Sequence, residues 1–159
     1  MKKLIVMLAV VSLALVSRAG DELSYVVVGN KTYFSNDVKV GVTHVRIHDD
    51  NGTLIRESLK NVDAWMVDGR LCERMPVVCP DGKVRCTALM ELVCQRGGLR
   101  LYKFCAHKGN NSLGCCFRDK TGDEAIYYVY KDKELHLRVD EKNAGTVFPF
   151  FHVTYLAGK

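Results

Sequence analysis

Seven cysteines supply the most reactive side chains of this 159-residue chain: Cys72, Cys79, Cys86, Cys94, Cys105, Cys115 and Cys116. They admit three readings. In an oxidising compartment such a cluster is expected to form disulfides, with any leftover thiol buried as a small apolar group. Spacing leaves the connectivity open. One expected bridge joins Cys105 to Cys115 or Cys116, closing a loop of about ten residues and stabilising by about 2–3 kcal/mol. A second reading is a structural zinc site drawn from Cys105, His107, Cys115 and Cys116. The C-x2-C gap that lets two sulfurs reach one tetrahedral ion is missing. The third is a small secreted hydrolase or thiol enzyme using a Cys/His pair, although the C-x-x-C spacing of redox thiols is missing too. Disulfides or buried thiols are the expectation, and no cofactor is implied.

The other candidate groups have structural explanations. His44 and His48 sit four apart, a metal-ligand spacing on a helix. In a strand that separation is about 13 Å, so the polar face of a strand is the better account. His136 belongs to the polar side of a hairpin, and His152 lies in an apolar tail. Asp49-Asp50 and Asp123-Glu124 flank turns, where acidic residues are expected. No nucleophile elbow, H-E-x-x-H, P-loop or dinucleotide fingerprint occurs.

Between Lys83 and Lys120 basic residues outnumber acidic ones, and Tyr102, Phe104 and Phe117 are interleaved. A solvated β face explains this stretch. The binding alternative places Arg100, Tyr102, Lys103, His107 and Lys108 on a surface for a protein partner, an acidic glycan or an anionic envelope. Single-stranded nucleic acid also suits basic strands with aromatics, but export argues against it. The tail Val147-Phe148-Pro149-Phe150-Phe151 is expected to pack over the sheet, with a binding patch as the alternative.

Export is inferred from the first residues. Lys2-Lys3, an apolar run from Leu4 to Val16, and Ser17-Arg18-Ala19 have the layout of a signal peptide, residues 1–19. The apolar run is too short to span a bilayer as a helix. Residues 20–159 are then one secreted or periplasmic β-rich domain, with no transmembrane segment after signal removal. The leader holds Lys2, Lys3 and Arg18, so removing it leaves 20 of the 23 basic residues against all 18 acidic ones. The basic pI is partly a property of the leader.

Alternating apolar positions and turn dipeptides dominate the rest. Ile126–Tyr130 and Leu135–Val139 flank a turn at Asp132-Lys133, a register that sets Tyr130 against Leu135, Tyr128 against Leu137 and Ile126 against Val139 on one apolar face. Asp68-Gly69 and Asn51-Gly52 predict two further hairpins, and Pro80-Asp81-Gly82 a fourth. Thr87–Gln95 has helical propensity, yet a turn at Arg96-Gly97-Gly98 pairs Glu91 with Lys103 and Val93 with Leu101, which favours a hairpin. Asp140 is placed to cap a short helix from Glu141, ending before Pro149. The expected fold is mainly β: successive antiparallel hairpins in a small sheet, sandwich or partly open barrel, with a short C-terminal helix.

The order of certain pieces resembles a group of small, exported, β-rich bacterial proteins of unassigned function. These pieces are Gly29-Asn30-Lys31-Thr32, Asn61 to Leu71, Leu92-Val93 with Gly98-Leu99-Arg100-Leu101-Tyr102, and Tyr127-Tyr128-Val129-Tyr130 ahead of Leu135. The resemblance implies a β-rich exported domain and transfers no catalytic residue. The functional expectation is an exported interaction or structural module of unknown ligand, without catalysis.

Overall fold

The computed structural model describes residues 23–105, 117–118 and 123–154. The leader, His107, Lys108, Cys115 and Cys116 lie outside the described residues. The protein is mainly β, as its sequence predicts, with antiparallel sheets, one short described helix and, among the described residues, no closed barrel. In chain order the strands are β1 (Ser24–Val28), β2 (Lys31–Ser35), β3 (Val38–Val40), β4 (His44–His48), β5 (Leu54–Ser58), β6 (Val62–Val67), β7 (Arg70–Val78), β8 (Val84–Arg96), β9 (Leu99–Cys105), β10 (Phe117–Arg118), β11 (Glu124–Lys131) and β12 (Glu134–Arg138). Helix α1 (Ala144–Phe150) follows. The large sheet runs β10-β11-β9-β8-β7-β6-β1-β2, with β12 beside β11, and β3-β4-β5 form a separate small sheet.

The reversals follow from local chemistry. Asp68-Gly69, Gly97-Gly98 and Asp132-Lys133 each place two residues at positive φ between paired strand ends, which fits a two-residue primed turn. The Asn51-Gly52 and Pro80-Asp81-Gly82 reversals are longer. In both, glycine takes the left-handed position (Gly52 φ 77°, Gly82 φ 80°) before the strand resumes. Hydrogen bonds from Asp49 N to Thr53 O and from Cys79 N to Lys83 O close them. Thr87–Gln95 lies in β8, so its helical propensity is overridden by pairing on both sides.

The β11–β12 register departs from expectation. Tyr130 does oppose Leu135, but a bulge then sets Val129 against Leu137 and Tyr128 against Arg138. His136 is the extra residue. The cause is that β11 is buried on both faces, from Ala125 to Tyr130. Ile126, Tyr128 and Tyr130 pack with Met75, Val77 and Met90, while Tyr127 and Val129 pack with Leu137, Val139 and the helix. A one-residue slip moves side chains to the other face, and here it carries Leu137 under α1. Leu135 is left partly exposed.

The helix also begins later than predicted and includes Pro149. Asp140 Oδ1 accepts from the N–H groups of Lys142 and Asn143, so it caps a turn rather than the helix itself. Pro149 has no N–H to give back to the preceding turn, and α1 ends one residue later, at Phe150. Phe148, fully buried, meets Tyr127 and Phe117 edge-to-face at 5.0 and 5.2 Å between ring centres. Phe151 is buried as well, so most of the aromatic tail packs over the sheet.

The large sheet rolls. In a flat sheet β7 and β11, three strand spacings apart, would be separated by about 14 Å. Yet the Tyr128 hydroxyl donates to Val78 O at 3.0 Å, and the Tyr130 hydroxyl donates to Pro76 O. Beyond Glu73, β7 has no β6 partner. Pro76 has no N–H to offer on that free edge, the place where a strand tolerates proline. Two hydroxyls spaced by two residues thus satisfy two carbonyls spaced by two residues. A third cluster, with Val26, Val45, Ile47, Val62 and Trp65, joins the small sheet to β1, β6 and β7.

Candidate functional site

The cysteines do not form the expected framework along the strands. Cys72 opposes Glu91, Cys86 opposes Val77 and Cys94 opposes Leu101, so none of the three faces another cysteine across its ladder. Cys72, Cys79, Cys86 and Cys94 carry free thiols. Burial, helped by the Glu91 carboxylate, pushes the Cys72 thiol up to about 12, which suppresses the nucleophilic thiolate. Burial also raises Cys94, whose Sγ lies 3.5 Å from Phe151 O. Cys86 is exposed. Among the described residues no group of three His, Cys, Asp or Glu side chains is placed to hold a metal. The zinc set of Cys105, His107, Cys115 and Cys116 falls mostly outside the described residues, as does the bridge from Cys105.

Three of the five predicted binding residues lie on β9 and are engaged inside the protein. Tyr102 is 1% exposed, and its hydroxyl donates to Glu73 Oε2 at 2.5 Å. Burial, then the Glu73 carboxylate, holds this phenol well above its ordinary range, so it remains a donor. Arg100 Nη1 lies 3.3 Å from the same oxygen, and its Nε donates to Gln95 Oε1 at 3.1 Å. Lys103 Nζ lies 3.3 Å from Glu91 Oε2, its cross-strand neighbour. His107 and Lys108 lie outside the described residues. The Tyr102 ring therefore offers no open stacking platform.

His152 and the exposed Phe150 ring close against the β8–β9 turn. Arg96 Nη1 reaches Phe150 O and lies 2.7 Å from His152 Nε2, and the guanidinium carbon sits 5.1 Å from the Phe150 ring centre. The cation–π geometry explains the partial exposure of Phe150 without a ligand.

The exposed face of the small sheet is different. Lys39 opposes Arg46 and Arg46 opposes Arg56, so one row across three strands holds three cations. All three are exposed, whereas Val45 and Ile47 between them face the core. Lys39 and His48 share Asp37, at 3.5 and 2.8 Å. Among the described residues neither Arg46 nor Arg56 makes an ion pair. Arg56 Nη2 instead lies 3.4 Å from His44 Nδ1, beside the Thr43 hydroxyl at 2.8 Å from the same nitrogen. Residues 41–44, Arg46 and Arg56 line an open depression there.

This row was hidden in the sequence by one step of register. A two-residue turn at Asn51-Gly52 would pair Arg46 with Glu57, a favourable contact. The actual loop is longer because the Asp49 carboxylate accepts from the N–H groups of Asn51 and Thr53, at 3.0 and 2.7 Å. Arg46 then meets Arg56, and Glu57 turns to the side of Val45.

The geometry is that of a two-sheet β protein with an open cationic strand face. Comparison with protein-family models, with curated proteins and with solved structures finds no match.

Proposed function

We propose that this chain is an exported β-rich interaction module that binds through the outer face of its small sheet and does no catalysis. The observation that carries this reading is the row Lys39–Arg46–Arg56. Like charges placed directly opposite one another across strands are destabilising, where an opposite-charge pair would contribute about 0.2–1 kcal/mol. Folding alone would favour alternating signs at these solvent-facing positions. A cationic face kept at that cost suits an oppositely charged partner. The leader of residues 1–19 supports a secreted or periplasmic location. The resemblance to small exported bacterial proteins points the same way, and a Cys105 bridge to Cys115 or Cys116 would fit an oxidising compartment.

The experiment has two parts. The full chain is expressed in a bacterium, and the exported product is expected to begin at Gly20 by N-terminal sequencing. That product is then sedimented with bacterial envelope fragments, where wild type is retained and Arg46→Glu is not. A chain kept in the cytosol with its leader would remove the export component. Equal retention of the variant would remove the docking face.

A further inference from the structure

We propose that the Lys39–Arg46–Arg56 row binds an acidic polysaccharide, a linear chain of sugars carrying carboxylate or sulfate groups. This rests on the docking reading above and names its ligand. Neighbouring strands lie about 4.8 Å apart, so the row extends about 10 Å across the sheet. It runs perpendicular to the strands as a straight line of positive charge, matched to a ligand whose negative charges also recur along a line. The guanidinium groups of Arg46 and Arg56 present planar forks suited to carboxylate or sulfate oxygens.

Neutral groups suited to sugar hydroxyls stand beside the charges. Thr43 and His44 line the same depression as the two arginines, and Ser58 is the cross-strand partner of His44. Arg56 only donates, so its contact makes His44 Nδ1 an acceptor and leaves the ring proton on Nε2. His44 then offers its Nε2–H as a donor next to the cationic row.

Two other anionic partners fit less well. Single-stranded nucleic acid is held by aromatic stacking as well as by charge. The described outer face, with Lys39, His44, Arg46, His48, Leu54 and Arg56, carries no Phe, Tyr or Trp. A membrane surface calls for apolar side chains grouped beside the basic ones. The exposed Val40 and Val42 lie near one end of β4, whereas the exposed Leu54 pairs with His48 at the far end of that strand, over about 13 Å from Val42, so no more than two apolar side chains are grouped beside the basic row.

The test measures affinity of the mature chain for polygalacturonate, with dextran as the uncharged comparison. Phosphatidylglycerol vesicles and a thymidine oligonucleotide serve as competing anions. Wild type should bind polygalacturonate in a salt-sensitive manner and leave dextran unbound. Arg46→Glu should weaken binding at least about tenfold, which is about 1.4 kcal/mol, and Lys39→Gln by less. Lys142→Glu, the same charge change on another surface, should bind as wild type. Circular dichroism confirms that each variant is folded. Absent binding, equal binding of dextran, undiminished binding by Arg46→Glu, or tighter binding of vesicles or oligonucleotide would each overturn the proposal. Envelope retention that depends on Arg46 while polygalacturonate stays unbound would sink the polysaccharide alone. Retention insensitive to Arg46 would sink the docking face with it.

Discussion

Replacing Tyr128 or Tyr130 by phenylalanine removes one oxygen and leaves the ring, which isolates what the hydroxyl does. Both side chains are essentially fully buried. Tyr128 donates to Val78 O at 3.0 Å and Tyr130 to Pro76 O, on the edge of β7 that β6 leaves free beyond Glu73. A typical net hydrogen bond contributes about 0.5–1.5 kcal/mol, and a buried carbonyl left without a donor costs about 1–3 kcal/mol. Each substitution should therefore destabilise by about 1–3 kcal/mol. For a domain of this size the melting temperature falls by about 3 °C per kcal/mol, so a drop of several degrees is expected. Because the two carbonyls share one edge, the double variant should depart from additivity. Urea unfolding followed by circular dichroism measures both quantities. Tyr33→Phe serves as the comparison, since Tyr33 sits in β2 near the sheet edge, and it should stay within about 0.5 kcal/mol of wild type. If Tyr128→Phe and Tyr130→Phe also stay within that margin, these hydroxyls do not hold the sheet in its rolled form.

Two further predictions concern the ionisable groups. Under non-denaturing conditions Cys86 should react with iodoacetamide well before Cys72, because one is exposed and the other buried with its thiol pushed up to about 12. Mass mapping of the labelled chain reads the order, and equal rates would contradict the burial of Cys72. Stability should also fall on the alkaline side. Cys72, Tyr102 and Tyr130 are all raised in the folded state, chiefly by burial. Ordinary thiols and phenols ionise near pH 8.5–10. The unfolded chain therefore loses these protons first, so their stabilisation is complete below that range and declines as pH rises beyond it. The urea midpoint should drop between about pH 9 and 11, and a constant or rising midpoint would count against the buried placement.

What the sequence disclosed was mostly what is decided locally. Positive φ at Asp68-Gly69, Gly52, Gly82 and Gly97-Gly98 follows from residue type, and so the reversals could be placed. The Glu91–Lys103 pair agrees with expectation only because two departures cancel: the turn is Gly97-Gly98 alone, with Arg96 opposite Leu99, and a bulge at Val93 then restores the register, so that Cys94 rather than Val93 meets Leu101. Bulges at Val93 and His136 were not readable, since each answers to packing from elements distant in sequence. The second depends on α1 covering a face of β11 that alternation had marked as mixed. The same limit governed the site. The basic run around β9 looked like a surface because Glu73, the partner of Arg100, lies on β7, two strands away. The Arg46–Arg56 pair appears only once Asp49 has lengthened a loop by one step.

In the proposed function Arg56 stands opposite Arg46 for a ligand, at a cost to folding. Arg56→Glu tests it most directly when thermal stability and retention on envelope fragments are measured on one preparation. Placing a carboxylate across from Arg46 should stabilise the fold by about 0.2–1 kcal/mol while retention is lost. A variant that melts below wild type, or that is retained as well as wild type, would contradict the account.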